Sequence, residues 1–200
     1  MRFYKVQCTA AMLFLSLSMP LSLKAGAPTD QLRETVDKLF ATVDALRHDQ
    51  LTIPELRARV SRLLAERFDF VEMARRSLGA HWSELMPEDR RDFVETFVGL
   101  LEGTYGATLK SYGGEKVMYE REVENGDYAQ VDTKILTRNG QETSVDYRLK
   151  LSNGEWKVYD VVIDNISLVS NYRSQFNRVI AASSYKDLVR RMKENQARMS

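Results

Sequence analysis

Apolar residues recur at helical spacing through the first half of the chain. Between Asp30 and Arg47 they fall at Leu32, Val36, Leu39, Phe40, Val43 and Leu46, steps that place them on one stripe of a helix. Asp30 is the expected N-cap. A second helix opens at Thr52-Ile53-Pro54-Glu55, a capping-box sequence with proline in the first turn, and carries Leu56, Val60, Leu63 and Leu64. Phe68-Asp69-Phe70 breaks the rhythm, and a short helix from about Val71 to Leu78 stops at Gly79. Pro87-Glu88-Asp89 opens a longer helix, with acids in its positive first turn. Its apolar positions are Phe93, Val94, Phe97, Leu100, Leu101 and Tyr105.

The period then changes from helical to alternating. Asn125-Gly126, Asn139-Gly140 and Asn153-Gly154 stand 14 residues apart. Asn-Gly suits a hairpin turn whose two central residues need positive φ. Ala129, Val131, Thr133 and Ile135 share one face of a strand, as do Val145, Tyr147, Leu149 and Leu151 of the next. Trp156, Val158, Asp160 and Val162 alternate with Lys157, Tyr159, Val161 and Ile163. This pattern predicts a four-stranded antiparallel meander from about Lys116 to Asp164, its last strand covered on both faces. Helical spacing returns with Leu168, Val169, Tyr172, Phe176, Val179 and Ile180, and Ser184 is placed to cap a final helix. The fold class expected is α+β: helices packed on a curved four-stranded sheet, cone-like, with room for an apolar cavity.

The first 25 residues stand apart. Arg2 and Lys5 precede an apolar run of about 15 residues from Thr9 to Leu23, followed by Ala25-Gly26-Ala27. A spanning helix needs roughly 20, so the segment reads as a cleavable secretory signal peptide over residues 1–25. Residues 26–200 then form a single domain. Removing Arg2, Lys5 and Lys24 from 29 basic residues leaves 26 against 28 acidic, a net charge of −2. Cys8 leaves with the same segment, and it is the one cysteine. A disulfide framework, a cysteine-built zinc site and an iron–sulfur cluster are excluded. A basic field for nucleic acid is missing too.

Catalytic motifs are scarce. The two histidines, His48 and His81, are far apart in sequence, and the chain has no nucleophile-elbow, metalloprotease, dinucleotide or P-loop pattern. One enzymatic reading survives. An aspartate in a conical apolar pocket moves protons as isomerases do, with Asp160 in the row of Trp156 and Val158, Asp146 beside it, and Tyr147 as a donor.

Two segments carry a resemblance. Phe68-Asp69-Phe70-Val71-Glu72-Met73-Ala74-Arg75-Arg76-Ser77-Leu78-Gly79, followed by Trp82, is one. The run from Trp156 through Asp164-Asn165-Ile166-Ser167 to Phe176 is the other. Together they resemble the MlaC-type family, also called toluene-tolerance auxiliary proteins, over about Asp30 to Met192. Asn165 stands where the family pattern has glycine; asparagine is the next best residue for a left-handed turn. The resemblance implies a periplasmic, monomeric, non-enzymatic carrier with no cofactor, whose ligand is a phospholipid held by its acyl chains. It implies traffic between an outer-membrane lipoprotein–porin complex and an inner-membrane ABC transporter with an MCE-domain protein.

The physics of transport agrees with that role. A tail of about 15 methylenes costs on the order of 12 kcal/mol to expose to water, so a carrier needs an apolar cavity and no reactive group. From the stripes, the expected lipid-binding residues are Leu63, Phe93, Phe97, Leu100, Leu101 and Tyr105 on helices. On the sheet they are Val131, Ile135, Val145, Tyr147, Leu149, Trp156 and Val158, with Leu168, Val169, Tyr172 and Phe176 at the lip. Each is equally at home in plain core packing. Arg173 is expected to brace the sheet, with contact to the headgroup as the alternative.

Overall fold

Proline sets where the first helix starts. The computed structural model describes residues 27–48, 51–110, 114–137 and 139–199; the expected signal peptide lies outside the described residues. Helix α1 (Pro28–Arg47) has Ala27 as its N-cap, ahead of the expected Asp30, because proline fits a first turn whose N–H groups have no helical partner. Ala27 has no side chain to cap with. Glu122 of the first strand substitutes, its Oε2 accepting from the Thr29 N–H at 2.7 Å. Helix α2 (Ile53–Arg67) realises its capping box in both directions. Thr52 N–H donates to Glu55 Oε2 at 2.8 Å, and Glu55 N–H donates to Thr52 Oγ1 at 3.4 Å.

Helix α3 (Phe70–Leu78) begins where Asp69 Oδ1 accepts from the Glu72 N–H at 2.9 Å and ends at Gly79, φ 60°. Arg173 does not brace the sheet: its Nε donates to the Arg76 carbonyl at 2.7 Å, satisfying the negative end of α3. A one-turn α4 (His81–Glu84) leads into α5 (Pro87–Lys110).

Five strands follow: β1 (Lys116–Asn125), β2 (Tyr128–Leu136), β3 (Glu142–Ser152), β4 (Glu155–Ile163) and β5 (Ile166–Ser167). They pair antiparallel in chain order. The fifth strand, beyond the four expected, is two residues long. It exists because Asp164 (φ 46°) and Asn165 (φ 67°) make a tight turn that folds Ile166 back onto Ile163. Asn165 thus takes the left-handed conformation its sequence position demands. Asn153 (φ 51°) and Gly154 (φ 82°) repeat that geometry between β3 and β4. The first hairpin differs. Asn125 pairs with Tyr128, so the turn is Gly126-Asp127, with Gly126 at φ 59°.

A bulge on β4 rearranges the expected faces. Val158 pairs with Leu149 and Asp160 with Arg148, leaving Tyr159 as the extra residue. Trp156 and Val158 before the bulge therefore share a face with Val161 and Ile163 after it. Asp160 leaves the inward row where the sequence pattern put it. It is buried on the other side, accepting from Arg148 (3.0 Å), the Ser167 hydroxyl (2.7 Å) and the Val169 N–H (3.1 Å). That network ties β3, β4 and β5 to the start of α6 (Leu168–Ala182), which Ser167 caps. Helix α7 (Tyr185–Met199) follows, with Ser184 Oγ accepting from the Asp187 N–H at 3.1 Å.

Packing divides the apolar residues into two clusters. One is helical, joining Met73 and Leu78 of α3, Phe93, Phe97 and Leu100 of α5, Tyr172 and Phe176 of α6, and Leu188 and Met192 of α7. Phe93 and Phe97 stack at 6.1 Å, and Phe176 meets both edge-on at 5.8 and 6.1 Å. The other cluster joins Leu32 and Val36 of α1 to Val131, Val145, Leu149, Trp156, Val158 and Val161 of the sheet. Phe68, between α2 and α3, packs against both.

Glu72 ties successive turns of α3 to one another. Hydrogen bonds from Arg75 (2.7 and 2.6 Å) and Arg76 (2.7 Å) hold its carboxyl at about 2, below the usual 4.5, against the opposing effect of burial. A depressed folded-state value means stabilisation that is complete above pH 4.5 and lost as pH falls through about 2. Glu72→Gln is expected to cost about 2 kcal/mol at neutral pH, with the two urea-unfolding curves converging over that acid window. A gap that persists unchanged down to pH 2 contradicts this.

Candidate functional site

A cavity of about 770 Å³ lies where the two clusters fail to meet. That volume is in the range of ligand pockets. Helix α1 contributes Leu32, Val36, Leu39 and Val43, and α2 contributes Leu56, Val60 and Leu64. The opposite wall is α5, through Val94, Val98, Leu101 and Tyr105. Sheet residues Ile135, Val145, Tyr147, Val161 and Ile163 close one side, with Leu168 beside them.

The α5 wall recedes because it carries glycine. Gly99, Gly103 and Gly106 all line the cavity. Each lowers helix stability by about 1 kcal/mol relative to alanine, and none carries a side chain of its own into the cavity. Nothing stands within 4 Å of a Cβ placed on Gly106, whereas the Gln196 amide occupies the place a Gly99 Cβ would take.

Few polar groups interrupt the walls. Burial pushes the hydroxyl of Tyr147 well above the usual phenol range, and that of neighbouring Tyr119 up to about 12. Both stay neutral and neither offers a base. Arg57, Ala65 and Glu102 line the cavity while remaining exposed, which places its mouth between α2 and α5. The Ser61 hydroxyl donates to Glu102 Oε1 at 2.6 Å, bridging the two helices there. Among the described residues no group of three histidine, cysteine or acidic side chains could hold a metal, and no helix is long and apolar enough to cross a membrane.

The residues expected to bind lipid divide between cavity and core. Leu101, Tyr105, Ile135, Val145, Tyr147 and Leu168 stand on the cavity wall. Phe93, Phe97, Leu100, Val169, Tyr172 and Phe176 belong instead to the helical cluster, one step around α5 from its cavity face or on the helix behind it. A smaller groove between α5, α6 and α7 touches Leu100, Tyr172 and Phe176 on its own side, with Tyr105 common to both spaces. Val131, Leu149, Trp156 and Val158 are sealed in the sheet cluster. Leu63 is displaced by its neighbour Leu64, which completes the row Leu56, Val60, Leu64 at four-residue spacing. Asp160 lies off the wall.

The MlaC protein family matches this sequence over residues 33–194. This chain belongs to that family. A relative in Haemophilus influenzae, the intermembrane phospholipid transport system binding protein MlaC, is 26% identical over 175 residues, covering 84% of this chain and 82% of its own. Toluene tolerance protein ttg2D of Pseudomonas putida is 26% identical over 169 residues, covering 82% and 79%. Among solved structures, the phospholipid-binding protein of Ralstonia solanacearum in complex with a phospholipid superposes with a TM-score of 0.78. It is 26% identical and covers 86% of this chain and 98% of its own. The α+β architecture of this MlaC-family chain is therefore that of the neighbour.

Side chains that face open space lose little on truncation, whereas those in a packed core lose contacts on all sides. Phe97→Ala, in the aromatic stack, is expected to cost about 3–5 kcal/mol and Val98→Ala, one residue on but facing the cavity, about 1 kcal/mol or less. Denaturant titration of both variants checks the boundary between core and cavity. Equal losses contradict it.

Proposed function

We propose that this chain is a periplasmic phospholipid carrier that holds acyl chains in the cavity between α1, α2, α5 and the sheet. The observation that carries the reading is an apolar cavity of about 770 Å³ in an MlaC-family fold, at a seam between two packed clusters that share Phe68. The names of its relatives agree: one binds phospholipid within an intermembrane transport system, and the Ralstonia solanacearum protein was solved with a phospholipid. In this reading residues 1–25 are removed as a signal peptide and the remainder forms one monomeric lipid-binding domain.

The carrier moves a lipid between an inner-membrane MCE-domain ABC transporter and an outer-membrane lipoprotein–porin complex. It performs no chemical step. Asp160, the residue the enzymatic reading relied on, is held by Arg148, Ser167 and the Val169 N–H away from the cavity, and among the described residues no aspartate lines that space.

Protein exported to the periplasm and purified without detergent is expected to yield about one phospholipid per chain on organic extraction and mass spectrometry. Val145→Trp, which adds an indole to the cavity wall, is expected to lower that stoichiometry severalfold while the far-ultraviolet circular dichroism stays the same. Wild-type protein that repeatedly yields far less than one lipid per chain overturns the carrier reading.

A further inference from the structure

The two charged residues of the cavity lining imply a headgroup preference, an inference that rests on the carrier reading above. They are Arg57 on α2 and Glu102 on α5, both exposed and both at the mouth. They do not neutralise each other. Among the described residues Arg57 makes no hydrogen bond or ion pair, and Glu102 uses Oε1 to accept from the Ser61 hydroxyl. Ser61 lies one turn beyond Arg57, about 6 Å along the helix axis. A guanidinium and a carboxylate therefore flank the opening from facing helices, at one end of an otherwise uncharged space.

We propose that this pair reads the headgroup of a zwitterionic, amine-bearing phospholipid. With the tails in the cavity, the phosphodiester lies at the mouth, where the planar Arg57 guanidinium donates to two phosphate oxygens. The ammonium two carbons further on meets Glu102, whose Oε2 is left to accept while Ser61 holds Oε1 in place. A headgroup with a phosphate but no amine gains the Arg57 contact and offers Glu102 no cation to pair with. Both residues are wet, so the preference is modest: roughly two- to fivefold, the range an exposed ion pair supports.

The test is a loading competition. The purified chain is incubated with vesicles of equimolar phosphatidylethanolamine and phosphatidylglycerol carrying identical acyl chains, re-isolated, and its lipid quantified by mass spectrometry. Wild type is expected to hold the ethanolamine lipid in roughly two- to fivefold excess. Glu102→Gln brings the ratio near one, and Glu102→Lys inverts it. Arg57→Gln lowers retention of both lipids and leaves Glu102 to set the ratio. A wild-type ratio near one, or a ratio that ignores both Glu102 substitutions while lipid per chain is intact, overturns the headgroup assignment and leaves the carrier standing. Wild-type protein that takes up neither lipid overturns the carrier reading, and the headgroup assignment falls with it.

Discussion

Two apolar clusters are each anchored strongly enough that they need not merge. The sheet side is fixed to α1 and α2 by a polar clamp. Arg67 donates to Gln31 Oε1 and the Trp156 carbonyl, both at 2.7 Å, and to Thr35 Oγ1 at 3.1 Å, while the Trp156 N–H donates to the same Gln31 oxygen at 3.0 Å. The Asp69 N–H reaches the Val158 carbonyl at 2.8 Å, pinning the α2–α3 corner to β4. On the other side, aromatic stacking binds α5 to α6 and leaves its opposite face uncommitted. Apolar side chains normally close any space larger than a water molecule. Here the elements that could collapse are already held elsewhere, and Gly106 on α5 leaves open the space a side chain would take.

Much of this was legible in the sequence, and what was not has two causes. Helical stripes, the capping box at Thr52, the Gly79 stop and the left-handed turn at Asn165 are local features, decided by a few neighbouring residues. The cavity is not local. On α5, Phe93 and Phe97 face the core, while Val94 and Val98, one residue on and rotated by about 100°, face the cavity. Both rows are apolar at the same period, so hydrophobic spacing cannot assign them. Composition held a signal that spacing did not: Gly99, Gly103 and Gly106 recur at helical spacing in a helix interior, where glycine is costly. At Gly106 the missing side chain leaves open space, while at Gly99 its place is taken by the Gln196 amide of α7.

The β4 bulge explains the other misplacement. Strict alternation puts Asp160 beside Trp156 and Val158 and makes it look like a buried acid aimed at a pocket. One extra residue, Tyr159, turns it to the opposite face, where three donors satisfy it. The bulge also lets Val161 and Ile163 join the cavity wall after Trp156 and Val158 have been sealed by α1. A single inserted residue thus divides β4 into a packed half and a cavity-facing half. It also converts the aspartate from an apparent reactive group into the tie between the sheet and α6.

A seam between two anchored halves suits hydrocarbon exchange better than a hole within one core. Handing a tail from a bilayer to a protein moves it between two apolar surroundings, so the transfer free energy from water, about 0.8 kcal/mol per methylene, cancels between donor and carrier. What remains is set by the fit of the walls and by the cost of opening them. A hole inside a single cluster opens only by breaking packed contacts. At this seam the visible closure at the mouth is the Ser61–Glu102 hydrogen bond, one charge-assisted contact in solvent, worth a few kcal/mol at most. Such a mouth opens without unfolding either cluster, and a lipid is held by the tails yet released to any surface that offers them equal shelter.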